Sequence, residues 1–262
     1  MSSGPMKCGS PDHTGGAPQR GSHPMDREAF REALLAVMES KEHPSWPAFT
    51  SGRVPADRLH LHLEQEWGVY IRDFPVLLGR AYVQCPLPEV RRDLAENLYE
   101  EETGGLGAGR PHPELFLEIP AGLGMDLQRF HQVRLIPEAQ AYRGQLDAAT
   151  VQQGWPIAVA VTTLFLEGTP HERHLFDPSA PARPEPPLED HPLVRHYKLP
   201  VERLALVRAH RDVEGGHRIA AWRMVLDHVP ATDRAAVVAA MEATVVAWSA
   251  YRGAVASACG VQ

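Results

Sequence analysis

Late in the chain, the stretch VRAHRDVEGGHRIAAW places His210, Glu214 and His217 at offsets of four and seven residues. At ~100° of rotation per residue a helix brings all three side chains onto one narrow stripe, where they can converge on a point. Two imidazoles and a carboxylate are a ligand set that iron, manganese or zinc accepts. A solvated polar face with two incidental histidines has the same spacing, so the motif needs company. Glu167 is one companion: it closes the apolar run AVAVTTLFLE, and a carboxylate buried there is costly unless a cation compensates it. The plainer reading is a helix end reaching solvent, helped by Gly168. A third contribution is the acidic run Glu100-Glu101-Glu102, followed after a glycine-rich turn by His112-Pro113-Glu114. Charge runs are usually solvated, yet Leu94, Asn97, Leu98 and Glu101 share one helical stripe, which makes Glu101 the inward member and Glu102 its alternative.

Helices must position these groups. Phe30, Leu34, Val37 and Met38 recur at helical spacing, predicting a helix over 26–40 that stops before His43-Pro44, a turn. A second is expected from Pro55 through Trp67 and Tyr70 to Ala81, and a third from Pro88 to the Gly104-Gly105 breaker. Shorter helices are expected over 113–123 and 126–148. Residues 156–168 are apolar nearly all round, the mark of a helix buried mid-bundle. The proline-rich stretch 178–192 reads as a long loop, and helices over 200–228 and 231–256 finish the chain on either side of Pro230. No period-two alternation predicts a sheet, so the expected class is all-α, a bundle of about seven helices.

The chain of 262 residues, 44% apolar, suits one domain, expected over 25–262 after a Gly-, Ser-, Pro- and His-rich disordered tail over 1–24. Its net charge of −7, from 26 basic and 33 acidic residues spread along the chain, offers neither a nucleic-acid footprint nor a membrane anchor. Three separated cysteines (Cys8, Cys85, Cys259) make no disulfide framework and no CxxC motif. Without a signal peptide or an apolar run long enough to span a bilayer, a cytoplasmic location is expected.

NLYEEETGG…HPELF, then LFLEG, then the late H-x3-E-x2-H resemble the heme-oxygenase-like iron-containing oxidases. These form a branch of the superfamily that includes the thiaminase-type TenA and pyrroloquinoline-quinone synthase PqqC proteins. The resemblance covers about 26–256 and includes HLHLEQEWGVYIRDFPVLLGRAY. It implies a heme-oxygenase-like bundle with two ferrous ions per chain, manganese being a variant, and ligands at Glu101, His112, Glu167, His210, Glu214 and His217. Glu214 stands where this family commonly has Asp, and the turn between Glu101 and His112 is longer than in some members. The implied activity is O2-dependent oxidation of a small molecule, an amino acid, an amino-acid derivative or a fatty acid. C–C cleavage, desaturation or N-oxygenation in natural-product metabolism are the implied outcomes, with Glu101 and Glu167 at the reacting centre. No Gly-rich dinucleotide fingerprint or Fe–S cysteine set is visible, so electrons come from the substrate or an external donor. A homodimer is compatible. The rivals are a metal-free PqqC-type oxidase or TenA-type hydrolase of the same fold, and a non-enzymatic helical interaction protein. TenA-type chemistry wants a nucleophilic cysteine, and Cys85 before Pro86 matches it poorly.

Other residues carry weaker signals. Trp67, Tyr70 and Phe74 form an aromatic stripe that is either core or pocket wall, with Tyr70 the candidate pocket or redox residue. Lys198, after His196-Tyr197, could meet a substrate carboxylate at a pocket mouth or lie in a solvated loop. His171-Glu172-Arg173-His174 is metal-like in composition but comes after Gly168-Thr169-Pro170, and is expected at the surface or behind the site. His60, His62 and Glu64 are expected to be exposed.

Overall fold

The computed structural model describes residues 24–261, apart from the side chains of Asp212, Val213 and Glu214. The tail expected over 1–24 therefore lies, save Pro24, outside the described residues, as does Cys8. The described chain is all-α, with no strand. Its helices are α1 (Arg27–Glu39), α2 (Trp46–Thr50), α3 (Leu59–Glu66), α4 (Phe74–Gln84), α5 (Pro88–Thr103) and α6 (His112–Gly122). After these come α7 (Gln128–His131), α8 (Pro137–Val151), α9 (Trp155–Val159), α10 (Pro192–Tyr197), α11 (Ala205–His228) and α12 (Arg234–Ala258).

Local chemistry sets the ends. Asp26 caps α1, its carboxylate accepting the Ala29 N–H at 2.8 Å, and the helix buries Phe30, Leu34, Leu35, Val37 and Met38. Pro88 opens α5, where its missing N–H costs nothing, and Gly104 closes it at φ 65°, a conformation that disfavours a side chain.

Twelve α-helices among the described residues exceed the expected number of about seven, because long periodic segments are interrupted and the short α2 and α10 are added. The helix expected over 55–81 runs from α3 into a wide π-type stretch, Trp67–Ile71, and restarts at α4, where Pro75 has no N–H to carry the ladder through. The one expected over 126–148 breaks before Pro137. Likewise α9 passes into a second π-type stretch, Ala160–Leu166, whose Thr162 and Thr163 hydroxyls donate to the carbonyls of Ala158 and Val159 four residues back. The expected loop over 178–192 leads into α10, and α2 is an element the periodicity did not reveal.

In the bundle, α12 packs along α8 and α1, and α4 along α5. α11 lies across the Ala160–Leu166 stretch, α6 and α5. A large apolar core gathers Phe30, Leu77, Phe165 and Tyr251, and a smaller one Leu63, Trp67, Phe116 and Leu204. No described helix is long and apolar enough to cross a membrane.

Candidate functional site

Three elements bring Glu101, His112 and His210 together. Glu101 ends the buried stripe of α5, His112 opens α6 after the glycine turn, and His210 projects from α11; one ligand atom from each lies within 4.8 Å of the others. Of the acidic run, Glu102 is exposed, and Glu100 is fully buried with a different task. Its carboxylate accepts the backbone N–H groups of Leu106 and Ala108, fastening the turn that delivers His112. Burial would raise the Glu100 carboxyl, but those two N–H groups and His112 hold it below its ordinary value.

His112 is 3% exposed, with Nδ1 2.8 Å from Glu101 Oε1 and Nε2 3.4 Å from Glu100 Oε1. Among the described residues neither ring nitrogen makes a hydrogen bond of acceptable geometry, which leaves a buried imidazole with two unsatisfied nitrogens between carboxylates. Burial alone would lower its pKa; the carboxylates of Glu101 and Glu100 raise it above the usual value. The His210 ring meets that of His112 edge-on, with centroids 5.1 Å apart. Burial first, and then repulsion from His112, Arg183 and His217, pushes His210 down to about 3, leaving a neutral imidazole.

A second pair faces the same cavity. His217 Nδ1 lies 3.7 Å from Glu167 Oε2, and Glu167 Oε1 accepts from Asn97 Nδ2 at 2.6 Å. Burial lowers the His217 pKa, partly opposed by Glu101, Glu100 and Glu96. Glu167 caps the π-type stretch, and Lys41 braces that end, donating to the carbonyls of Phe165 at 2.5 Å and Gly168 at 2.7 Å. Glu214 belongs to α11, but its side chain is outside the described residues.

The cavity measures about 280 Å³, and Glu101, His112, Glu167, His210 and His217 all line it. Ile71, Phe74, Leu166 and Leu206 supply an apolar wall. Tyr70 lines it too; burial and the carboxylate of Glu66 hold its phenol well above the ordinary pKa, so it stays neutral. Arg183, from the proline-rich loop, also reaches the cavity, a residue that sequence reasoning passed over. Trp67 does not: its indole N–H donates to the Phe130 carbonyl at 2.7 Å and its ring stacks on Phe116 in the smaller core. Lys198 is exposed, with left-handed φ of 59° at the end of α10, and does not line the cavity.

The exposure expected on α3 is overturned at all three positions, His60 being half-buried. His62 and Glu64 are buried at 8% and 9%. Glu64 is ion-paired with Arg129, and His62 sits 3.5 Å from Glu66, whose carboxylate accepts from the buried Arg252 at 2.6 Å. The Arg252 guanidinium also lies over the rings of Trp46, Trp248 and Tyr251, so α12 supplies the cation that makes burial of the α3 carboxylate tolerable. Glu172 is likewise buried, at 1% exposure, behind the site. Cys85 and Cys259 are buried and unpaired by disulfides, their thiols pushed up by burial, and neither lines the cavity.

No curated protein matches the sequence. Among solved structures the fold is similar to that of a TenA homolog from Pseudomonas syringae pv. tomato. The TM-score is 0.65 at 14% identity, over 91% of this chain and 98% of that one. A family model described as iron-containing redox enzyme matches residues 62–249, a stretch that contains every residue lining the cavity, and the chain belongs to that family.

Proposed function

We propose that the chain is a non-heme di-iron oxidase or oxygenase that uses O2 on a small molecule, an amino acid, an amino-acid derivative or a fatty acid. Natural-product metabolism is the expected setting. The observation that carries this reading is the convergence of the buried Glu101 and His112 with the half-buried His210, both His112 nitrogens being unsatisfied among the described residues. Such a donor set fits a divalent ion of the iron and manganese type. Glu101, His112 and His210 would hold one ion; Glu167 and His217, with Glu214 from the same helical stripe, would hold the other. Bound ferrous ions would supply the activation of dioxygen for C–C cleavage, desaturation or N-oxygenation, with electrons from the substrate or an external donor.

The protein's own groups do the rest. The apolar wall excludes water and matches an aliphatic chain, while Arg183 brings positive charge to the cavity. Tyr70, kept as a neutral phenol on the cavity wall, offers a hydroxyl that can orient a polar group of the substrate. His210, neutral at physiological pH, needs to lose no proton before it coordinates.

The likeness to a TenA homolog favours a second reading, metal-free hydrolysis by a cysteine nucleophile. Against it stand the raised pKa of Cys85 and its place outside the cavity. A metal-free PqqC-type oxidase leaves the unsatisfied His112 without a role. Anaerobic ferrous loading decides among them: uptake should approach two ions per chain and fall in His217→Ala. An O2 pulse with candidate amino and fatty acids should then give a transient visible band. Zero uptake, unchanged by His217→Ala, would overturn the di-iron reading.

A further inference from the structure

Glu172 is 1% exposed and accepts four hydrogen bonds. Two come from Thr169, its backbone N–H at 2.8 Å and its hydroxyl at 3.2 Å. The other two come from α11: Arg218 Nε at 2.9 Å on one carboxylate oxygen and Trp222 Nε1 at 2.9 Å on the other. Thr169 lies two residues after Glu167, and Arg218 directly after His217. One carboxylate therefore bolts the segment carrying Glu167 to the helix carrying His217, through two donors on each side. Nothing on α5 or α6 is part of this joint.

We propose that Glu172 is the positioning residue that sets Glu167 against His217, so that the half of the site they form depends on it while the Glu101, His112 and His210 half does not. This rests on the di-iron reading above. The partners of metal ligands tune affinity by fixing ligand orientation, and losing one costs about 10–100-fold. Glu172→Gln is the sharpest perturbation: it keeps the volume but turns one acceptor into an N–H2 group that faces a donor, Trp222 Nε1 or Arg218 Nε, and removes the negative charge opposite Arg218. Trp222→Phe deletes a single donor and keeps a ring against Phe176, which now meets Trp222 edge-on at 5.0 Å; it serves if Glu172→Gln does not fold.

Ferrous titration under nitrogen and hydrogen exchange on the apo protein test the proposal together. In Glu172→Gln the first iron equivalent should bind with wild-type affinity and the second at least tenfold more weakly. Exchange should speed up jointly in residues 168–175 and 215–222 and stay unchanged in α5 and α6; Trp222→Phe should show the same pattern at smaller amplitude. Two equivalents bound at wild-type affinity by Glu172→Gln, or equal weakening of both, overturns the positioning role while leaving the di-iron reading in place. A wild-type protein that takes up no iron overturns both.

Discussion

Asn97→Leu separates ligand orientation from general stability. Asn97 is 5% exposed and its amide donates to Glu167 Oε1 at 2.6 Å, while its own buried Oδ1 has no partner among the described residues. A hydrogen bond to a charged group contributes about 1.5–3 kcal/mol, and relieving a buried unsatisfied acceptor returns about 1–3 kcal/mol. Since leucine removes both the donor and the orphaned acceptor at similar volume, the two terms nearly cancel in the unfolding free energy of the apo protein. They do not cancel in metal binding, where only the lost grip on Glu167 counts. At about 1.4 kcal/mol per tenfold, 1.5–3 kcal/mol corresponds to roughly 10–150-fold, in line with the ~10–100-fold cost of removing a ligand's partner. Asn97→Leu should therefore weaken the second ferrous equivalent by one to two orders of magnitude and shift the apo urea midpoint little. Competition titration against a ferrous chelator under nitrogen, paired with urea unfolding, measures both. Undiminished affinity for both ions would refute the assignment of Glu167 as a ligand held by Asn97; parallel losses of affinity and stability would show that Asn97 serves the core.

Glu167→Ala should abolish O2-dependent turnover and leave the fold largely intact, because it removes a ligand together with the cost of burying its charge; activity with full iron content would make Glu167 structural. Gly168→Ala should cost about 1–3 kcal/mol in thermal unfolding, because its Cβ would overlap the Leu164 carbonyl oxygen and lie 2.7 Å from Met38 Cε; an unchanged melting temperature would contradict the close approach. Gly215→Ala and Gly216→Ala should each stabilise α11 by about 0.5–1 kcal/mol, since a Cβ at either meets nothing within 4 Å, and a lower melting temperature would refute this. His210 should stay neutral in the apo protein as pH falls from 8 to 5. With its folded pKa pushed down to about 3, the stability it contributes is fully present above the unfolded value of about 6.5 and is lost as pH drops toward 3; an imidazole NMR midpoint near 6.5 would refute the burial argument.

Local pattern sufficed for the all-α class, for the ends of helices at Asp26, Pro88 and Gly104, and for turning Glu101 rather than Glu102 inward, though not for the still deeper burial of Glu100. These depend on neighbours three or four residues away, where side-chain periodicity and capping act. Tertiary structure decided what depends on groups far along the chain. His62 is buried because Arg252, 190 residues later, sits beside it and neutralises Glu66. The partnership of Asn97 with Glu167 spans 70 residues, and Arg183 reaches the cavity from a loop whose proline-rich composition carries no ligand signal. The π-type stretch at 67–71 carries Trp67 and Tyr70 itself and departs from the 3.6-residue period, so that period could not place Tyr70 at the cavity and Trp67 in the core. Burial of a charge is set by the counter-charge that arrives when the chain packs, and no local pattern encodes that arrival.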